Sequence, residues 1–230
     1  IWQGLGLKEV SERMSKEGLD LPSWLSSAEA LYQPSPGSVD WTTEGGVKAS
    51  YQVSSNSLQD IPQPPTRINL PRFSQAVGKH IVFTNDEASL VDIGHGIACL
   101  TFHSKMNAIG SGIIEALQKS VELVDQKFDA MIVGNQGDNF SAGANLKMVL
   151  DSIEKKDFVA IDTMLRNFQG GVQLLKYAPF PVVTAPHGMT LGGGLEVALH
   201  GTHQVVRSET YAGLVEMGVG LIPAGGGTKE

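Results

Sequence analysis

The chain has 230 residues and a formal net charge of −7, with 41% hydrophobic and 18% charged residues, which is typical of a soluble globular protein with a buried core. The negative charge argues against a nucleic-acid partner, because neutralising phosphates needs clustered Lys and Arg, and no apolar run is long enough to predict a membrane span. The single cysteine, Cys99, cannot form an internal disulfide, and the first residues lack a signal-peptide pattern, so we predict a cytoplasmic protein.

The first 85 residues divide into two stretches of different composition. Residues 1–33 contain a helical pattern over residues 7–16, with apolar side chains on one face. Residues 34–85 are rich in Pro, Ser and Gly, which predicts a linker or a loosely ordered connector. A short hairpin that pairs residues 47–53 with residues 39–43 is compatible with this composition.

From about Asn85 the sequence alternates between strand-like and helix-like segments. Short β-rich or apolar runs indicate strands, and apolar residues three or four positions apart indicate helices. The predicted strands are 88–93, 97–102, 130–134, 181–185 and 204–207, and the predicted helices are 111–128, 142–150, 158–176 and 192–200. This alternation predicts an α/β fold with crossovers around a buried sheet.

Two glycine-containing turns each join an apolar strand to a helix. In residues 135–146, small residues allow close approach to a ligand, and free N–H groups near a helix start suit an oxygen anion. Residues 187–198 contain three consecutive glycines but neither a dinucleotide fingerprint nor a Walker loop. The Gly193 N–H and the Glu196 carboxylate would face one ligand. An ordinary turn, and a Glu favoured by the helix dipole, are the open alternatives.

A third segment, residues 211–228, carries Glu216 as the only charge between Glu209 and Lys229. Its apolar neighbours predict a partly desolvated carboxyl suited to proton transfer, and a surface Glu on a short turn is the alternative. His200 and His203 have the i, i+3 spacing of metal ligands. No third ligand is evident in the sequence, so we predict a surface or packing role and no metal site.

Together these segments resemble the enoyl-CoA hydratase/isomerase (crotonase) superfamily. The matching pieces occur in the family's order and spacing: SKMNAI (104–109), FSAGANL (140–146), LGGGLEVA (191–198) and EMGVGLIPAGGGT (216–228). A finer resemblance is to prokaryotic bifunctional β-oxidation proteins in which a 3-hydroxyacyl-CoA dehydrogenase precedes the hydratase domain. The fold class that this implies is α/β, a crotonase-like ββα superhelix preceded by a short helical remnant and a linker.

The resemblance also implies a domain organisation. Residues 1–33 would be the helical tail of a dehydrogenase domain, 34–85 the connector, and 86–230 an enoyl-CoA hydratase domain that lacks its C-terminal helices. The full-length protein is expected to be a homo-oligomer. NAD would serve only the dehydrogenase part, which is absent from this chain.

Each matched site residue receives a role from the resemblance. The N–H groups of Ala144 and Gly193 would bind the thioester oxygen of an acyl-CoA substrate. Glu196 would act as base on a water and Glu216 as the acid that protonates the α-carbon, in a syn addition to a trans-2-enoyl-CoA. Hydration would need no metal or other cofactor, because the thioester itself makes the α-carbon acidic. The positions expected along the CoA moiety are Lys105, Met106, Ala142, Asn145, Leu146 and Lys147.

Two other functions stay open. Isomerases of the family often keep only one of the two glutamates, so the presence of both Glu196 and Glu216 favours a hydratase over an enoyl-CoA isomerase. From a different class, the chain could be a non-catalytic acyl-CoA-binding or assembly module.

Overall fold

The computed structural model describes residues 5–34, 47–61, 68, 70 and 80–229. The chain divides into two compact units, Ile1–Gln75 and Ala76–Glu230. In these described ranges, no helix has both the length and the apolar character needed to cross a membrane.

The first unit contains a helix and a small antiparallel sheet. Helix α1 (Leu7–Lys16) has the predicted bounds and buries Leu7. Strands β1 (Tyr32–Pro34), β2 (Val47–Gln52) and β3 (Ser57–Asp60) pair in the order β1-β2-β3. Because β2 pairs on both edges, it is the central strand of this sheet.

Part of the stretch interpreted as a loosely ordered connector is therefore regular sheet. Strand β2 was predicted, but its partners in the described residues are β1 and β3. The partner suggested from sequence, residues 39–43, lies outside the described residues. Composition misled here because the prolines and glycines of residues 34–85 flank the strands, whereas Ala49 inside β2 is 2% exposed.

The second unit is built on a six-stranded mixed sheet of order β10-β8-β7-β6-β5-β4. Strands β4, β5 and β6 pair antiparallel, whereas β6, β7, β8 and β10 pair in parallel. The strands are β4 (Ile81–Thr84), β5 (Ala88–Gly94), β6 (Ile97–Phe102), β7 (Ala130–Val133), β8 (Val182–Thr184) and β10 (His203–Gln204). The predicted hairpin and parallel core are thus present, and β4 adds an edge strand inside the stretch interpreted as connector.

Two long helices cover this sheet. Helix α2 (Ser111–Lys127) buries Ile113, Leu117, Val121 and Val124 at helical spacing, and α4 (Phe158–Lys176) has the predicted bounds. Both contribute to one core with strand residues of the sheet. Periodicity predicted these helices well because their buried faces are long and regular.

Helix α3 (Leu146–Glu154) begins four residues later than the predicted residue 142. Ser141 and Ala144 form isolated parallel bridges with Thr190 and Ile109, and Gly143 between them has a positive φ of 96°, so residues 141–144 are not helical. Asn145 then caps the helix by accepting a hydrogen bond from the Met148 N–H. Contacts between distant segments therefore override the local helical preference of this run.

A second, two-stranded parallel sheet was not predicted. It pairs β9 (Met189–Leu191) with β11 (Tyr211–Gly213), and helix α5 (Gly193–Leu199) follows β9 directly. The Gly192 N–H donates to the Gly213 carbonyl at 2.8 Å, which continues this pairing into the glycine turn. This small sheet holds the start of α5 beside the segment that leads to Glu216.

Asn135 ties the end of β6 to the loop that precedes the site, which gives a testable contribution to stability. Its Oδ1 accepts the Phe102 N–H at 2.6 Å, its Nδ2 donates to the Phe140 carbonyl at 2.6 Å, and it is 9% exposed. We expect Asn135→Ala to lower the free energy of unfolding by about 2–4 kcal/mol, because two buried backbone groups lose their partner.

Urea unfolding measures this change, with the exposed Asn167→Ala as a control that shifts stability by less than about 0.5 kcal/mol. Equal effects of the two substitutions would contradict the bridging role of Asn135.

Candidate active site

The three glycines at the start of α5 pack directly against three other segments. A methyl group on residue 192, whose φ is +49°, would lie 3.1 Å from Oε1 of Glu216. On residue 193 it would lie 3.3 Å from Cδ1 of Ile109, and on residue 194 it would lie 2.6 Å from Cβ of Ser141. Close approach to Ser141 therefore requires glycine at residue 194, and the positive φ requires it at residue 192, whereas a side chain at residue 193 would force the end of Ile109 to shift.

The backbone at Ala144 is oriented by its bridge to Ile109. The Ile109 N–H donates to the Gly143 carbonyl at 2.8 Å, and the Asn145 N–H donates to the Ile109 carbonyl at 2.9 Å. In a parallel bridge these bonds come from the two neighbours of Ala144, so its own N–H points to the opposite side. A methyl group on Gly143 would lie 3.6 Å from the Gly193 nitrogen, so the two turns adjoin.

The N–H groups of Ala144 and Gly193 are thus close together and available to a ligand. Gly193 is the first residue of α5, where an N–H has no acceptor within the helix. Neither N–H donates a hydrogen bond to any residue in the described part of the second unit. Two such donors suit an oxygen that gains negative charge during a reaction.

Glu196 is a buried carboxylate held by backbone donors. It is 3% exposed, and the Gly227 N–H donates to its Oε1 at 2.9 Å. Burial raises the pKa of Glu196 above its usual range, and the negative charge of Glu216 raises it further. Backbone hydrogen bonds from Gly227 and Gly225 and the nearby His200 oppose this rise. The net effect is a raised pKa, so this carboxyl holds a proton more readily than an exposed glutamate does.

Glu216 lies at the first position of a 3-10 turn, Glu216–Val219, and is half-buried. Its Oε1 faces the backbone of Gly192, and its Oε2 is buried and accepts no hydrogen bond from the described residues. A buried carboxylate oxygen in this state is suited to bind a water or a substrate proton. The two glutamates predicted from sequence therefore both lie at the start of α5. Glu196 belongs to the first turn of this helix, and Glu216 faces Gly192 from a separate segment.

The residues expected along CoA lie on two adjoining loops. Lys105 and Met106 belong to a 3-10 turn, Lys105–Asn107, in which Met106 has a positive φ of 59°. The Ala142 N–H donates to the Met106 carbonyl at 3.1 Å, so the first loop lies directly against the second. Both side chains of the 105–106 pair are exposed.

The second loop presents the remaining predicted positions differently. Asn145 uses its side chain to cap helix α3, whereas Leu146 and Lys147 are exposed in the first turn of that helix. A role for Asn145 toward a ligand would therefore have to involve its backbone or compete with the cap. The expectation of CoA contacts at all six positions stays a prediction.

The histidine pair does not form a metal site. His200 is fully buried, whereas His203 is exposed in the short edge strand β10. Across the described ranges, no group of three or more His, Cys, Asp or Glu side chains could hold a metal ion.

One part of the site was not predicted from the sequence. The ring of Phe168 in α4 lies against both Gly193 and Gly225, and the neighbouring Gln169 side chain donates to the Ala224 carbonyl at 2.6 Å. A helical apolar pattern marked Phe168 only as a core residue. A second glycine triplet, residues 225–227, was the sequence signal that could have indicated another place where the backbone packs closely against its neighbours.

The family profile described as Enoyl-CoA hydratase/isomerase matches residues 95–229, which is more than half of the chain. The chain belongs to this family, and the predicted resemblance to crotonases is confirmed. A solved structure, DspI from Pseudomonas aeruginosa, superposes with a TM-score of 0.58 at 29% identity, covering 63% of this chain and 59% of that chain. The fold class predicted from sequence is confirmed as well.

Two curated relatives are longer proteins. A probable 3-hydroxyacyl-CoA dehydrogenase from Bacillus subtilis (strain 168) is 38% identical over 100% of this chain and 28% of its own length. A putative fatty acid oxidation complex trifunctional enzyme from Rickettsia prowazekii (strain Madrid E) is 34% identical over 65% of this chain and 21% of its own length. The chain therefore spans between a fifth and a third of the length of these relatives.

The raised pKa of Glu196 makes stability depend on pH in a defined direction. Between its unfolded value, 4.5, and its higher folded value, the folded state binds more protons, so the free energy of unfolding falls as pH rises through this window. Glu196→Gln removes the titration. We expect the difference in Tm, variant minus wild type, to increase as pH rises above 4.5 and then to level off.

Thermal melts between pH 4.5 and 8 measure this difference. The exposed Glu122→Gln is the control, because its side chain is 59% accessible and makes only a surface pair with Lys119. A difference that is flat or decreasing with pH for Glu196→Gln would show that the Glu196 pKa is not raised.

Proposed function

We propose that this chain carries the active site of an enoyl-CoA hydratase, which adds water in the syn sense to a trans-2-enoyl-CoA. The observation that carries the proposal is the placement of two carboxylates, Glu196 and Glu216, beside the Gly193 N–H at the start of α5 and the Ala144 N–H of the adjoining turn. Family membership supports the acyl-CoA class of substrate.

The thioester oxygen would accept hydrogen bonds from the N–H groups of Ala144 and Gly193. These donors stabilise the negative charge that develops on that oxygen when the nucleophile adds to the β-carbon. Because the donors belong to backbone held by the Ile109 bridge and by the β9–β11 pair, they need no rearrangement during the reaction.

The two glutamates would share the proton transfers. Glu196 takes a proton from the water as its oxygen bonds to the β-carbon, and protonated Glu216 delivers its proton to the α-carbon of the enolate. The proton gained by Glu196 then passes to Glu216, which returns both carboxyls to their starting state. The net change is addition of H and OH across the double bond, without oxidation or reduction. A base whose pKa is raised by burial favours this step, because it binds the proton from the water more strongly than an exposed carboxylate would.

The alternatives make different use of the same site. An isomerase moves one proton between two carbons, for which a single carboxylate suffices, whereas here two carboxylates flank the glycine turn. A non-catalytic acyl-CoA-binding module would have no use for a buried carboxyl with a raised pKa. Both features favour the hydratase.

We further propose that the chain belongs to a longer bifunctional protein of β-oxidation. The similarity of the whole chain to a relative named as a 3-hydroxyacyl-CoA dehydrogenase supports residues 1–33 as the tail of such a domain and 34–85 as its connection to the hydratase domain. In this arrangement NAD serves the dehydrogenase part, and hydration itself uses no cofactor. The protein would act as a cytoplasmic homo-oligomer.

The hydratase proposal predicts large losses on neutralising either carboxyl. We expect Glu196→Gln and Glu216→Gln each to lower kcat for crotonyl-CoA hydration by at least about a hundredfold, the usual scale for a positioned acid or base. Loss of absorbance at the enoyl thioester band measures the reaction in the full-length protein.

Glu122→Gln, on the exposed face of α2, is the matched control and should keep activity within about twofold. Full activity of Glu216→Gln would contradict the assigned role. A product with a displaced double bond would identify an isomerase, and acyl-CoA binding without turnover would identify a binding module.

A further inference from the structure

His200 is a fully buried histidine that immediately follows helix α5, four residues after Glu196. Its Nδ1 lies 2.6 Å from the backbone carbonyl oxygen of Glu196. A carbonyl only accepts, so Nδ1 must carry a proton and donate. This bond fixes the orientation of the ring at the end of the helix that carries the catalytic base.

The Cε1–Nε2 edge of the His200 ring lies against the turn of residues 225–227. A methyl group on Gly226 would lie 3.0 Å from both Cε1 and Nε2 of the ring, and Gly226 has a φ of +119°. Both the close contact and the backbone conformation require glycine at this position. The imidazole therefore supports the middle of the turn directly.

The two residues that flank Gly226 hold the Glu196 carboxylate. Gly227 donates its N–H to Oε1 at 2.9 Å, and the backbone of Gly225 also hydrogen-bonds to the carboxyl. A methyl group on Gly225 would lie 2.5 Å from Oε2, and one on Gly227 would lie 3.0 Å from Cγ. The position of the turn therefore determines where the carboxylate lies.

We propose that His200 is a positioning residue for Glu196: it links the end of α5 to Gly226, so that Gly225 and Gly227 stay in place to orient the carboxylate. This inference depends on the proposed hydratase function only in the experiments that measure activity. The charged groups that act on Glu196 are Glu216, from the 3-10 turn, and His200 itself.

His200→Asn separates the two contacts of the ring. The Asn side-chain N–H can take the place of Nδ1 and keep the bond to the Glu196 carbonyl, whereas the ring edge that supports Gly226 is lost. We expect kcat to fall by about tenfold with KM within about twofold, because a small displacement of a catalytic group lowers the rate more than binding.

The pH profile should change as well. With looser backbone donors at residues 225 and 227, and without the imidazole, Glu196 loses groups that favour its ionised form. The acid limb of kcat/KM, which reports the base in the free enzyme, should move to higher pH by at least about 0.3 unit. A purely structural defect would lower the amplitude of the profile without moving its limb.

Thr184→Val is the matched control. Thr184 is fully buried, and its hydroxyl donates to the Ala198 carbonyl near the end of the same helix at 2.9 Å instead of to residues 225–227. This variant removes a comparable buried hydrogen bond of α5. It should lower Tm while the acid limb stays in place.

A readout without turnover tests His200 independently of the reaction. The Tm difference between a Glu196→Gln protein and its Glu196 parent develops over a pH window whose upper end is set by the folded pKa of Glu196. In the His200→Asn background this upper end should move to higher pH. If wild type fails to hydrate crotonyl-CoA while this window moves, the hydratase proposal is wrong and the positioning role stands.

An unmoved window and limb in His200→Asn, or equal shifts in Thr184→Val, would overturn the positioning role. If His200→Asn does not fold, His200→Gln replaces it. Its longer amide reaches the place of Nε2 but not that of Nδ1, so the limb should stay near its wild-type position. If the acid limb of His200→Gln moves as far as is expected for His200→Asn, the proposal is wrong.

Discussion

The buried carboxylate of Glu196 imposes the constraint on which the rest of the site depends. A carboxylate taken out of water must be compensated by hydrogen bonds or it becomes neutral. Here the compensation comes from backbone N–H groups of a glycine turn, whose position is set by His200 on one side and by Phe168 on the other. Burial and these hydrogen bonds act in opposite directions, and together they leave the pKa of Glu196 raised. A carboxyl in this state is suited to proton transfer.

Glycine residues allow the backbone to come close enough to the Glu196 carboxylate to stabilise it. In both triplets the backbone lies so close to neighbouring groups that an added side chain would crowd or collide with them, and these groups include carboxylates, aromatic rings, and aliphatic and serine side chains. The same close approach brings the Ala144 turn to the start of α5. Donors for an oxyanion and two proton-transfer groups thereby share one small volume, held by the short β9–β11 pair and the Ile109 bridge.

Much of the surrounding scaffold was predictable from local pattern. The hairpin of β5 and β6 and helices α2 and α4 have regular apolar periods and clear ends, so their bounds were predicted within a residue or two. The start of α3 was wrong, and β9 and β11 were missed. Three-residue strands carry too little periodicity, and the non-helical run at 141–144 is held by bridges to distant segments.

The sequence by itself determined the family and the α/β alternation, and it predicted Glu196, Glu216, Ala144 and Gly193 as the candidate site, because these inferences depend on residue types at short spacings. Only the tertiary structure decided how the carboxylate is held. The donor at Gly227 lies 31 residues from Glu196, and the support at Gly226 comes from a histidine that spacing alone assigned to surface or packing. Such contacts depend on how the chain folds back on itself, which no local period encodes.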